Sequence, residues 1–138
     1  ANVLPEKAVL TMNVRVPAAQ PEKVVTKILE EKAKQYDLSI KLCSGRDASA
    51  VTSVEGWAYR LTEEVLNQVF PGMPVIPFVL GGGTDSRHFL EIAEEAVRFS
   101  PIYIHKEQGS GVHGKNERID VNSLYESVRY YEQLLKKL

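Results

Sequence analysis

Two periods of apolar spacing succeed one another along this chain. Over residues 8–16, Ala8, Leu10, Met12, Val14 and Val16 fall on one face, while Thr11, Asn13 and Arg15 fall on the other. That is the period of a half-buried strand presenting Arg15 on its polar side. A proline-bounded turn over residues 17–21 follows, with Pro21 placed to open a helix. Val24, Val25, Ile28, Leu29 and Lys32 then recur at helical spacing through residues 22–36, and residues 38–43 predict a short returning strand. Strand, helix and strand in this order predict a small α/β layer unit, or half of one.

Residues 44–53 are small and polar, with Gly45 and Asp47, and predict a linker. Residues 56–70 predict a helix with Trp57, Leu61, Val65, Leu66 and Val69 inward, ended by Pro71-Gly72-Met73-Pro74. The continuous apolar run 75–80 has the length of a strand covered on both faces. It leads into Gly81-Gly82-Gly83. A short helix over 88–96 and a short strand over 97–99 come next. The chain then closes with a helix over 121–138, capped by Asp120 or Asn122. Val121, Leu124, Tyr125, Val128, Tyr131, Leu135 and Leu138 form its apolar stripe.

Composition narrows the possibilities. Of the 138 residues, 43% are hydrophobic and 25% charged, as in a soluble globular protein. Lys and Arg total 17 against 18 Asp and Glu, a net charge of −1, which lacks the basic footprint of a nucleic-acid binder. Cys43 is the single cysteine, so neither an internal disulfide nor a multi-thiolate zinc knuckle is expected. No apolar run approaches the roughly 18 residues a membrane span requires. There is no initiator Met and no signal-peptide pattern, so the chain is expected to be a trimmed or processed piece.

Three histidines and one glycine run carry the candidate chemistry. His113 sits in GVHGKNERI, residues 111–119, where flanking glycines open the backbone around an imidazole suited to metal ligation or acid–base work. Glu117 is placed either to support that histidine or to pair with Arg118. The run GGGTDSRHF, residues 81–89, leaves a predicted buried strand where α/β proteins bind ligands. Thr84 and Asp85 could meet a substrate there, or the glycines could form a plain turn with Asp85 capping the next helix. No GxGxxG and no lysine followed by Ser or Thr is present, which disfavours a nucleotide loop. His88 reads as packed or hydrogen-bonded, His105 as solvated, and the pairs Glu30-Glu31, Glu63-Glu64 and Glu94-Glu95 as solvated helix faces. By periodicity alone, Arg15 is an ordinary surface arginine.

Taken in order, ANVLPEKAVLTMNVRVP, GGGTDSRHF, RFSPI and GVHGKNERI resemble successive motifs of the dinuclear zinc peptidases and amidohydrolases. That family includes aminoacylase, carboxypeptidase S, glutamate carboxypeptidase and acetylornithine deacetylase. TDSRH and RFSP are most similar to the carboxypeptidase S branch. The resemblance implies an α/β fold. Residues 1–44 would be the remnant of a lid (dimerisation) domain, and 45–138 the carboxyl half of a mixed-sheet catalytic domain. It implies that His113 is the last zinc-ligating histidine, that Asn2 and Arg15 hold the substrate's free carboxylate, and that Gly83 and Thr84 line the cleft. The family's other ligands to its two zinc ions, its general-base glutamate and a lid histidine reaching across the dimer precede the matching segment. No catalytic base is therefore expected in this chain.

The expected function is that of the carboxyl-terminal portion of a zinc-dependent hydrolase. Its substrate would be a peptide or N-acyl amino acid with a free carboxylate, and its partner a second copy of itself. Alone, the chain is expected to bind zinc weakly and to hydrolyse nothing. Two other readings stand beside this one. The chain could be a non-catalytic dimerisation module, or it could bind phosphate at residues 81–83.

Overall fold

The computed structural model describes residues 4–18 and 20–138. Its regular structure is helical: α1 (Glu22–Lys34), α2 (Trp57–Val69), α3 (Ser86–Phe89), α4 (Lys106–Gly109) and α5 (Val121–Leu135). The chain divides into two compact units, Ala1–Val51 with Leu80–Gly82, and Thr52–Val79 with Gly83–Leu138. Among the described residues, no helix is long and apolar enough to cross a membrane.

The expected α/β fold, with its mixed sheet, is overturned, because no strand or sheet forms among the described residues. The runs 8–16, 38–43, 75–80 and 97–99 lack any strand pairing. Alternation fixes which way side chains point, but a strand exists only through a ladder of bonds to a neighbour. None of these runs supplies that ladder to another, and Val9, Leu10, Met12 and Val14 stand exposed on both faces of the first.

In the first unit, Pro21 sets the entry to α1 with φ −63° and ψ 142°. Acidic Glu22 in the first turn and basic Lys32 and Lys34 in the last complement the helix dipole. The Glu22 N–H donates to Asp47 Oδ1 at 2.6 Å, so a residue of the predicted linker closes the helix start. Gly45 permits this approach, since a Cβ there would lie 2.8 Å from the Glu22 carboxylate. At the far end the Leu38 N–H reaches the Ala33 carbonyl at 3.0 Å, across Asp37 in the left-handed region (φ 56°).

The second unit is built on α2 against α5. Leu61, Val65, Leu66 and Tyr130 form its buried core, flanked by Val69, Phe70, Val75 and Leu134. Val65 is fully buried, and Phe99 leans on Tyr130 with ring centroids 5.4 Å apart. Each such aliphatic side chain contributes roughly 1.5–3 kcal/mol through burial. Two details of packing differ from expectation. Trp57 is 64% exposed, and the apolar stripe of α5 faces outward, with Leu135 70% exposed. α5 turns Ser123 and Tyr130 inward because its bulkiest inward fit is the Tyr130 ring beside Phe99, and Ser123 Oγ donates to the Tyr103 carbonyl at 3.0 Å.

The helix expected over 88–96 is only α3 followed by turns; the chain then runs extended to the Thr52 hydroxyl. Thr52 Oγ1 donates to the Ala96 carbonyl at 2.8 Å. One residue earlier, Glu95 Oε2 accepts the Ala58 N–H at 2.8 Å, giving α2 the N-terminal acceptor that Gly56 cannot supply. Asp120 caps α5, accepting the Asn122 N–H at 2.8 Å.

Gly56 has φ −71°, which alanine accepts readily, but a Cβ there would overlap the Glu95 carboxylate. Gly56→Ala should therefore lower stability to urea by about 1 kcal/mol, the usual cost of a lost helix cap. Glu95→Ala should cost the same, and the double variant no more than either alone.

Burial raises the Tyr130 phenol above the ordinary value of 10.0, with the Thr62 side chain pulling the other way and Tyr131 adding to the rise. The folded state thus holds this proton more tightly than the unfolded one. The stability it contributes is complete below pH 10 and is lost as pH climbs through the raised value. Absorbance at alkaline pH should show one tyrosine ionising last, together with unfolding, and Tyr130→Phe should remove that coupling.

Candidate functional site

The second unit carries two turns that present polar side chains. The first spans residues 111–117. Its backbone closes through Gly111 N–H to the Gln108 carbonyl at 2.9 Å and Gly114 N–H to the Gly111 carbonyl at 2.8 Å. A Cβ on Gly114 would lie 3.1 Å from the Gly111 carbonyl oxygen, so glycine belongs there. Between them His113 adopts φ 62°, and Asn116 follows at φ 63°. Left-handed backbone costs a histidine roughly 1 kcal/mol. Glu117 offsets this by accepting the His113 N–H on Oε2 at 3.1 Å. Glu117 therefore holds the histidine's backbone and not its ring, and among the described residues it forms no ion pair with Arg118. The imidazole is exposed, and among the described residues no hydrogen bond engages either ring nitrogen.

The second turn spans residues 83–88. Thr84 is half-buried, its Oγ1 2.5 Å from Ser86 Oγ and accepting from Arg98 Nε at 3.3 Å. Arg87 lies over the start of the turn, where a Cβ on Gly83 would come 3.2 Å from its Nη1. Asp85 begins α3 through its carbonyl, which accepts the His88 N–H at 3.0 Å; its side chain makes no capping bond. His88 is exposed and, of its two expected states, is the hydrogen-bonded one, its Nε2 accepting from Arg87 Nε at 3.2 Å.

The other candidates fall elsewhere. Arg15 is exposed in the extended segment of the first unit, and Asn2 lies outside the described residues. Gly83 and Thr84 share one turn and His113 occupies another. No group of three or more His, Cys, Asp or Glu able to hold a metal occurs among the described residues. His105 is exposed, as expected, and also has a structural part. It opens α4, its N–H donates to Gln108 Oε1 at 2.9 Å, and its ring meets Tyr103 edge-on with centroids 4.7 Å apart. Beside the His113 turn, a 130 Å³ cleft is lined by Tyr103, Ile104, Val112, Glu117 and Ile119, among others.

Sequence reading missed two residues that fix this geometry. Glu95, read as a solvated charge, caps α2, and Arg98 holds Thr84 across 14 positions of sequence. The only visible signal for Arg98 was its place at the head of RFSPI.

Comparison with known proteins covers nearly the whole chain. Residues 5–137 match the model of a family described as Peptidase family M20/M25/M40. An N-fatty-acyl-amino acid synthase/hydrolase of Xenopus tropicalis is 33% identical over 137 residues, 99% of this chain and 27% of that protein. Its Homo sapiens counterpart is 29% identical over 138 residues, 98% of this chain and 28% of its own length. A Dictyostelium discoideum protein named probable carboxypeptidase S-like 2 is 26% identical over 137 residues, 99% and 26% respectively. The chain thus spans about a quarter of the length of these relatives. No solved structure matches it significantly.

The carboxylate latch can be tested directly. Glu117→Ala leaves the His113 N–H without its acceptor, so its amide hydrogen should exchange at least several-fold faster, while the amides of α2 and α5 exchange as before. Equal exchange at His113 in the two proteins would show that Glu117 does not hold the turn.

Proposed function

The chain belongs to the Peptidase family M20/M25/M40, and from that membership we propose that it is part of a zinc-dependent hydrolase cleaving an amide bond next to a free carboxylate. The substrate is a peptide or an N-acyl amino acid, in keeping with the hydrolase and carboxypeptidase names of its relatives. The observation that carries the reading is His113, held left-handed in a glycine-flanked turn with both ring nitrogens open to a ligand.

A catalytic zinc takes about three protein ligands. This chain's donors fit one such position, so the rest come from polypeptide beyond these residues. When bound, zinc polarises a carbonyl and lowers the pKa of its water. His113 presents one imidazole to that centre, and the Glu117 carboxylate fixes the backbone from which it projects. Gly83 and Thr84 line the substrate-binding side of the whole protein's site, Thr84 offering its hydroxyl. Arg15, with Asn2, binds the carboxylate through a planar guanidinium fork. No proton-accepting catalytic group is assigned to the chain, and alone it is inactive. In the whole protein two copies associate, residues 1–44 belonging to the lid and 45–138 to the catalytic part.

A second reading, a non-catalytic interaction module, draws on the outward apolar stripe of α5. Calorimetric titration with zinc at neutral pH separates the two, using this chain and a longer natural polypeptide containing it. Tight uptake confined to the longer protein favours the hydrolase; no uptake by either favours the module. In the longer protein His113→Ala should abolish hydrolysis of N-acyl amino acids, and Arg15→Ala should chiefly raise KM. Unchanged turnover in the His113 variant would refute the ligand assignment.

A further inference from the structure

Outside the helices of the second unit, a group of large apolar side chains remains about half exposed. Tyr103, Ile104, Val112 and Ile119 keep between 43% and 52% of their surface, and all line the cleft beside the His113 turn. Ile102 joins them from a half-buried position. Glu117, whose carboxylate accepts the His113 N–H at 3.1 Å, belongs to the same wall. We propose that this cleft takes the hydrocarbon tail of a substrate's acyl group, and that filling it tightens the hold of Glu117 on the His113 turn.

Size and lining decide the occupant. The cleft measures 130 Å³. An apolar cavity of roughly 150 Å³ accepts benzene, so this one suits a group of about six carbons. A charged group set among these isoleucines would lose its water with nothing to replace it. Gln108 also lines the cleft, but its side-chain carbonyl is engaged by the His105 N–H at 2.9 Å. The charged residues of the lining are Glu117 and Arg118, on the side of the histidine turn. The occupant is therefore an uncharged chain joined to a polar group that lies at that turn.

The cleft and the metal-binding candidate share backbone. Val112 immediately precedes His113, and Glu117 follows it by four positions. The bond between Glu117 and the His113 N–H is exposed, so water competes for both its ends. A tail packed on Val112 and on the Glu117 methylenes excludes that water. A hydrogen bond to an ion strengthens as its surroundings become less polar. The left-handed φ of 62° at His113 is then held more firmly. The non-reacting end of the substrate thereby helps to orient the imidazole, a use of remote binding energy at the reacting centre.

This deepens the hydrolase reading and rests on it only for calling the occupant an acyl tail. The test needs neither metal nor turnover. The isotope-labelled 138-residue chain is titrated with N-hexanoylglycine and with N-acetylglycine, which differ only in tail length, and separately with benzene. Magnetic resonance follows the Ile104 and Ile119 methyl groups, and hydrogen exchange follows the His113 amide. N-hexanoylglycine and benzene should move both methyl signals saturably, and N-acetylglycine should leave them still. With N-hexanoylglycine at saturation, the His113 amide should exchange at least several-fold more slowly, while the amides of α2 and α5 exchange as before. Glu117→Ala should keep the methyl response and abolish the slowing. Val112→Phe fills the cleft from its own wall. It should weaken N-hexanoylglycine binding by about tenfold or more, the effect of two methylenes left in water. It should also slow His113 exchange with no ligand present.

No methyl response to N-hexanoylglycine, or an equal response to N-acetylglycine, overturns the inference. So does binding that leaves His113 exchange unchanged, or slowing that persists in the Glu117→Ala protein. Zinc uptake in the longer protein with no tail response here removes this inference alone. A tail response here with no zinc uptake in either protein removes the metal reading and leaves the cleft and its coupling standing.

Discussion

Packing of α2 on α5 is the contact from which the rest of the second unit hangs. Val65 and its neighbours Leu61 and Leu66 close on Tyr130, and this is the one helix pair in substantial contact among the described residues. Its fastenings attach other segments to the same two helices. Glu95 ties the chain before Arg98 to the start of α2, and Ser123 ties the Tyr103 segment to the first turn of α5. Lys137 and Glu64 meet at 2.7 Å near the far end, a largely exposed pair that contributes little. Both turns therefore depend on a small core, the Thr84 turn through residues 95–98 and the histidine turn through the segment following Tyr103.

What could be read from the chain alone follows from how local each signal is. α1, α2 and α5 were legible because a 3.6-residue period, a proline start and an Asp120 cap are written within a few residues of one another. The strands were misread for the opposite reason. Alternation records a face and says nothing of a partner, and residues 8–16 and 75–80 have none among the described residues. The inward face of α5 was misassigned because Ser123 and Tyr130 look less apolar than Leu124, Val128 and Leu135. Burial followed the neighbour available, not the hydropathy of the stripe.

The candidate site divides in the same way. The His113 turn announced itself through its two flanking glycines, and the left-handed φ shows why an open loop is needed there. Glu95, Asp47 and Arg98 act over separations of 37, 25 and 14 positions, so no motif could have named them. The reading of Arg15 and Asn2 came wholly from family resemblance. Among the described residues, the exposed segment that carries Arg15 adds no contact that would single it out.

The backbone angle at His113 sets two filters on one codon. Valine, isoleucine and threonine are rejected by conformation before any chemistry is asked of them, because branching at Cβ resists a positive φ. Glycine and asparagine pass the first filter easily and bring no imidazole. Among histidine's near neighbours in sequence space, asparagine and aspartate tolerate the angle, one offering an amide oxygen and the other a carboxylate. Drift at this position is thus confined to a few residues, and aspartate there would put a carboxylate where the imidazole stands.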